Sequence, residues 1–266
     1  MKRMKMMMVA ALMLTAFAGF AACSYGNCGS MGGNLNYLEQ DLQPKAFKAI
    51  DVDVVADVYY TQNDGDKHDV RLDFSAIKDK DLAERMKESV KVVYRDGGVE
   101  IGLSKRISGT SDMGSGKRLK VYITSPDLVK VGLEGVGSFR ADKVNSDRLD
   151  IDNEGVGSVY IKQLLANKVS VDNEGVGSVE LGNVTGDVLD IDNEGVGSVK
   201  VAFYKGGRLK IDNEGVGHVS AKVDCHSVRA SLDGVGSVTL SGVTKDYHKE
   251  KDGVGSFNDK GLKVLK

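Results

Sequence analysis

The chain has two prolines, no tryptophan, three cysteines, and aromatic side chains at 6% of its 266 residues. The near absence of proline excludes collagen, which needs proline within a strict Gly-X-Y period. It also suits long β-ladders, where every backbone N–H is required. With so few aromatics, the sequence shows no ladder of rings on which sugars would stack. The flat threonine ladders of an ice-binding surface are missing too. Neither charge sign prevails: 36 basic side chains face 38 acidic ones, a net of −2. A dedicated nucleic-acid binder would be basic, so that class is excluded. Nucleophile elbow, phosphate loop and zinc-helix motifs are absent. His68, His218, His226 and His248 have no metal-ligand spacing, although His218 and His226 could approach across a turn. What abounds instead is glycine, at 33 residues. These glycines sit among valine and isoleucine in a chain that is 41% hydrophobic, which excludes a flexible linker and wholesale disorder.

The first residues read as an address. Lys2, Arg3 and Lys5 precede an apolar run from Met6 to Ala22, the pattern of an export signal over residues 1–22. The run is also near the minimum length of a membrane-spanning anchor. It ends in Phe20-Ala21-Ala22-Cys23, which resembles a bacterial lipobox with Phe20 at the position usually held by Leu, Val or Ile. Cys23 is therefore the expected lipidation site, joining the protein to a membrane through an N-terminal lipid. Plain secretion with Cys23 retained is the alternative. Ser24 is compatible with sorting to the outer membrane, facing either the periplasm or the exterior. Loss of residues 1–22 leaves 33 basic against 38 acidic side chains, so the mature chain is acidic by five. Residues 23–44 lack periodicity and read as a tether. An exported location permits a Cys28–Cys225 disulfide without requiring it. Cys225, in an alternating apolar stretch, reads as a small buried hydrophobe.

A repeat fixes the fold class. Gly-Val-Gly begins at Gly135, Gly155, Gly175, Gly195, Gly215, Gly234 and Gly253, at spacings of 20, 20, 20, 20, 19 and 19. Apolar and polar residues alternate on both sides of each motif, as in Leu149-Asp150-Ile151-Asp152 and Val159-Tyr160-Ile161-Lys162. Such alternation predicts strands with one buried face. About twenty residues are too few for a propeller blade, which needs ~40 or more. The pattern instead predicts an all-β, single-stranded, right-handed parallel β-helix with 19–20 residues per coil. Equivalent residues of successive coils then stack ~4.8 Å apart. The motif glycines are expected to make sharp corners at φ > 0. Val136, Val156, Val176, Val196, Val216, Val235 and Val254 are expected to point inward as one apolar column.

The regular coils cover residues 131–266, and 45–130 read as longer, irregular coils of the same β-helix. A helix over Lys78–Ser89, with Leu82, Met86 and Val90 on one face, caps the first end. Gly102–Gly116 reads as an exposed loop. Gly261–Lys266 reads as a last strand, whose Lys260, Lys263 and Lys266 discourage end-to-end pairing. The stretch from Phe47 to Asp57-Val58-Tyr59-Tyr60-Thr61-Gln62, then Ser125-Pro126-Asp127-Leu128 and the Gly-x-Gly-Ser coils, resembles the head GIN domain family of auto-transporter adhesins. The likeness runs over roughly residues 45–260. It implies a right-handed β-helix and a cell-envelope location, and it brings no catalytic residues.

The stacking predicts ladders. Glu134, Glu154, Glu174, Glu194 and Glu214 share one position, and Asp152, Asp172, Asp192 and Asp212 another. These acids read as a solvated edge balanced by lysines, or as a column able to bind Ca²⁺. Asn153, Asn173, Asn193 and Asn213 should point inward and hydrogen-bond along the rod. The serines after the motif read as turn-satisfying hydroxyls, with His218 replacing one. Tyr160 and Tyr204 read as outward or loop residues. The sequence thus points to a non-catalytic envelope lipoprotein that needs no cofactor, acting as an adhesin-like binding or scaffold module for a glycan or protein ligand. A polysaccharide-active β-helix enzyme and a repetitive cation-binding module are the alternatives.

Overall fold

The computed structural model describes residues 45–105 and 117–265. Cys23, Cys28, the export signal and the tether lie outside these residues, as does most of the Gly102–Gly116 loop. The seven repeats each form one long strand that bends around a coil: β8 (Val136–Asn153), β9 (Val156–Asn173), β10 (Val176–Asn193), β11 (Val196–Asn213), β12 (Val216–Leu232), β13 (Val235–Lys251) and β14 (Val254–Val264). Each pairs in parallel with the next in sequence, motif over motif, as in Val176↔Val196 and Asn193↔Asn213. The result is a parallel β-solenoid of about seven turns.

The period-two pattern explains the bending. In β8, Phe139, Ala141, Val144, Leu149, Ile151 and Asn153 point inward. Between them the alternation breaks at Asp142-Lys143 and at 145–148, where no side chain is buried, and there the strand changes direction. Stacked copies give continuous apolar rows, for example Leu149, Val169, Leu189, Leu209 and Val228, all 0% exposed. Each such side chain contributes about 1.5–3 kcal/mol on burial. Tyr204, expected outward, lies in the core instead. It occupies the row of Val184 and Val223, and its hydroxyl donates to the carbonyls of Gly186 (3.0 Å) and Arg208 (3.1 Å). Cys225 is buried, as its alternating surroundings predict, and forms no disulfide among the described residues.

The N-terminal part is not stacked in sequence order. β1 (Ala49–Val52) inserts between β5 (Gly98–Leu103) and β7 (Lys130–Leu133), and β2 (Ala56–Gln62) inserts between β6 (Leu119–Ser125) and β8. The first half of β8 stacks on β2 and its second half on β7, so two short strands do the work of one long one. Two pairings are antiparallel, β3 (Asp69–Asp73) with β6 and β4 (Val90–Arg95) with β5. The β4–β5 hairpin turns at Asp96-Gly97, both at positive φ (51° and 76°), as tight hairpins require. Between β3 and β4 lies α1 (Lys80–Ser89). Asp79 caps it by accepting from the Leu82 N–H, and it buries Leu82, Ala83 and Met86.

Two expectations about the corners are corrected. Among the described residues, only Asp96, Gly97 and Gly242 have positive φ, so the motif glycines are not needed for a left-handed backbone. They are needed for space. A Cβ on Gly175 would lie 2.6 Å from the carbonyl carbon of Glu154 and nearer still to the carbonyl oxygen of Gly155. A Cβ on Gly177 would lie 2.8 Å from the carbonyl carbon of Gly157. Each coil thus rests its glycines directly on the backbone of the coil before. The column of motif valines faces outward, not inward. Unbroken alternation from Ile151 to Ile161 places Asn153, Gly155 and Val159 inside and Glu154 and Val156 outside. Val156, Val176, Val196, Val216 and Val235 are each 52–54% exposed, and Val254 is 74% exposed.

Beneath the corner runs the asparagine ladder, at 0% exposure throughout. The Nδ2 of Asn153 donates to Oδ1 of Asn173, Asn173 to Asn193, and Asn193 to Asn213, each at 2.6 Å. The backbone carbonyl of each of these asparagines also accepts two N–H groups from the next corner, as Asn153 does from Glu174 (3.1 Å) and Gly175 (2.8 Å). The row ends at Leu133 on one side and Leu232 on the other, which leaves Oδ1 of Asn153 and Nδ2 of Asn213 buried without partners. Asn173→Ala breaks two links and orphans two more buried amide groups, so it should cost about 2–4 kcal/mol. Replacing all four asparagines by leucine, which the flanking coils already use, should cost less than that single change. Chemical denaturation of both variants measures the difference.

Candidate functional site

The repeated corner is the candidate site. The row of Gly135, Gly155, Gly175 and Gly195 forms the floor of an open groove of about 710 Å³ running along the solenoid. The valine column forms one wall. The other carries Asp53, Glu134, Glu154, Glu174 and Glu194, so the predicted glutamate ladder does come together and is joined by Asp53. Asp53 has this place because Val52 pairs with Leu133, which sets Asp53 beside Glu134. Val54, Val55 and Leu103 line the N-terminal end. Burial, then the charges of Asp53 and Glu154, hold the Glu134 carboxyl above the usual range. Burial, then Glu174 and Asp152, do the same at Glu154.

One residue before each buried asparagine lies the aspartate column, and its cations sit at its two ends. Lys130 bridges Asp51 (3.2 Å) and Asp152 (3.4 Å), and Lys210 pairs with Asp212 (2.6 Å). Asp172 and Asp192, in the middle, have no cation within ion-pair distance among the described residues. Oδ1 of Asp192 is buried and accepts no hydrogen bond. Burial, then Asp152 and Glu174, push Asp172 up to about 6. Burial, then Glu194 and Asp172, push Asp192 up to about 7. The reading of an acidic edge balanced by lysines thus holds at the ends of the column and not in its middle. Among the described residues, no group of three or more His, Cys, Asp or Glu is arranged to hold a metal ion. The His218 Nδ1 lies 2.7 Å from the Ser237 hydroxyl in the serine row.

Sequence reasoning missed one surface row. Strand pairing aligns Arg71, Tyr122, Tyr59, Arg140, Tyr160, Glu180 and Lys200 across seven strands. Tyr59 and Tyr122 stack at 5.3 Å between centroids, and the Arg71 guanidinium lies 4.5 Å over the Tyr122 ring. Only Tyr160 belongs to a regular coil. The other two tyrosines enter through the insertion of β2 and β6, which no local pattern marks.

The aspartates make a sign-definite prediction. Carboxyls raised in the folded state keep protons that the unfolded chain releases. Stability should therefore be greatest at acid pH and be lost as pH rises from about 4, the unfolded value, through about 7. Asp192→Asn should raise the melting temperature at pH 8 by roughly 2–4 °C, since water screening leaves about 1 kcal/mol of the effect. The same variant should be nearly neutral at pH 5. Thermal denaturation at the two pH values checks both.

With this geometry in view, the comparisons are specific. Residues 46–203, more than half the chain, match the family described as "Putative auto-transporter adhesin, head GIN domain". Among solved structures, a "putative adhesin" from Bacteroides fragilis NCTC 9343 is similar at 25% identity and TM-score 0.64, over 80% of this chain and 92% of that one. A "putative adhesin" from Parabacteroides merdae ATCC 43184 matches at 16% identity and TM-score 0.45, over 84% and 93% of the two chains. A "putative lipid binding protein" from Parabacteroides distasonis ATCC 8503 matches at 16% and 0.45, over 83% and 93%. No curated protein matches. The repeat, the Tyr59-Tyr60 strand and the match over residues 46–203 agree, and the chain belongs to the head GIN domain family of auto-transporter adhesins.

Proposed function

We propose that the protein is a non-catalytic, lipid-anchored component of the bacterial envelope whose solenoid presents its repeated corner to a binding partner. The observation that carries this reading is the outward valine column. Six valines, each more than half exposed, stand in one line beside a line of acids. Valines stacked strand on strand steady the sheet, and a contiguous exposed apolar stripe of this kind also marks an interaction surface. Membership of an adhesin family supports the binding role, and the lipobox-like Phe20-Ala21-Ala22-Cys23 supports the anchor. No helix among the described residues is long and apolar enough to cross a membrane. On this reading the attachment is made by lipid on Cys23. Acids set in single file along a rod differ from the paired, cleft-bound carboxylates that polysaccharide cleavage uses.

The purified protein should bind members of an array of glycans and matrix proteins, and it should not degrade polysaccharides. Replacing Val156, Val176 and Val196 together by serine should weaken that binding by ~tenfold or more, with the melting curve little changed. Radiolabelled palmitate should enter the wild type and not Cys23→Ala. Undiminished binding by the triple variant would remove the corner from the account, and turnover of any glycan would overturn the non-catalytic reading.

A further inference from the structure

The last coil of the solenoid is only half built. β14 follows β13 as far as Thr244↔Val264, and the Leu265 N–H donates to the Thr244 carbonyl at 2.8 Å. The rest of β13, Asp246–Lys251, pairs with β12 on one side and with no strand among the described residues on the other. In the coil before, the Leu232 carbonyl accepts the N–H groups of Asp252 (3.1 Å) and Gly253 (2.9 Å). Lys251 stacks on Leu232 and has no coil above it, among the described residues, to do the same. Half a coil of backbone donors and acceptors is open at the point where the apolar rows of the core run out. Such an edge is a template for a further strand, and a second copy of the chain carries the same edge.

The side chains at this edge break the pattern of every coil before it. The row of Leu149, Val169, Leu189, Leu209 and Val228 ends in Tyr247. The row of Ile151, Val171, Ile191, Ile211 and Ala230 ends in Lys249, and Leu232 is followed by Lys251. β14 supplies a counter-charge. Its register shifts between Thr239 and Ser241, so Asp259 and Lys260 together stand opposite Leu240, as in a bulge. The Asp259 carboxylate accepts from the Tyr247 hydroxyl (2.9 Å) and from the Lys249 ammonium, both on Oδ2. Lys249 also lies 5.7 Å from the centroid of the Phe257 ring. Tyr247, Phe257 and Leu262 pack against the core.

We propose that Tyr247, Lys249 and Asp259 form a polar plug that terminates the solenoid and keeps its open edge from pairing with the same edge of a second copy. A strand laid on this edge covers the Lys249–Asp259 pair and takes its charges out of water, which opposes the gain from new ladder hydrogen bonds. Lys251, Lys260 and Lys263 make no ion pair among the described residues, and a two-fold contact between like ends brings these lysines against those of the other copy. The device is independent of what the corner binds. It holds the rod that presents the corner at a fixed length.

Sedimentation velocity on the intact purified protein, over a wide range of concentration, tests this, with hydrogen exchange to locate any contact. The wild type should not associate through residues 245–264. Lys249→Val, Lys251→Leu and Asp259→Asn combined carry apolar rows to the edge and remove the charges of the plug. This variant should dimerise at least about tenfold more tightly than the wild type, with new amide protection confined to β14 and the second half of β13. Lys249→Arg with Asp259→Glu keeps the charges and should behave as the wild type. If the triple variant does not melt cooperatively, Lys249→Met with Asp259→Asn, which keeps the shape of both side chains, takes its place, and the same dimer is expected. Two results would overturn the proposal: a folded, charge-free variant that sediments as the wild type does, or wild-type association that protects residues 245–264.

Discussion

The close stacking of backbone on backbone at the glycine corners is the constraint on which the rest of the structure depends. At each corner, a glycine lies against the carbonyl group of the preceding coil, where a Cβ would overlap it. That approach keeps the ladder continuous around the turn, so Val176 N–H still reaches the Gly155 carbonyl at 2.9 Å. It also fixes the register. Once corner sits on corner, leucine sits on leucine, asparagine on asparagine, and acid on acid. The apolar rows and the asparagine chain favour this register, and the acidic columns are tolerated because of it.

The same constraint sets what faces water. Two small residues flank each motif valine, and the inward parity of the strand is already taken by Asn153 and Gly155. Val156 and its counterparts have no inward place to go. The surface that results combines an apolar line, a line of carboxylates and a floor of bare backbone, repeated once per coil. Its chemistry is uniform along the rod. The aspartate column is the cost of this uniformity. Lysines neutralise it at Asp152 and Asp212, while Asp172 and Asp192 between them are driven toward the neutral form.

Much of this was legible in the amino-acid order. The twenty-residue period and the alternation of Leu149, Ile151, Val159 and Ile161 dictate a parallel solenoid, and spacing alone places Asn153 over Asn173. The corners were misread in two respects, both for physical reasons. Glycine serves either a positive φ or a close approach, and sequence does not say which; here Gly155 and Gly157 serve the second. The direction of Val156 follows from the unbroken alternation of Ile151, Asn153, Gly155, Gly157, Val159 and Ile161, which puts the valine outside; the expectation of an inward valine weighed its apolar character above that parity. Tyr204 was misread because a bulky residue in an otherwise aliphatic row is admitted by Gly206, where a Cβ would meet its ring at 2.6 Å. The insertion of β1 and β2 ahead of later strands is a long-range event without local signature, and with it went the row of Tyr122, Tyr59 and Arg140.

A matched pair of glycine substitutions tests the corner constraint most directly. Gly175→Ala adds one methyl group at the corner, against the Gly155 carbonyl, whereas Gly102→Ala adds the same group in β5 where nothing lies within 4 Å. Both positions have φ outside the left-handed region, so backbone strain does not separate them. The account predicts that thermal denaturation shows a loss of about 1–3 kcal/mol for Gly175→Ala and essentially none for Gly102→Ala. Equal stability of the two variants would contradict it.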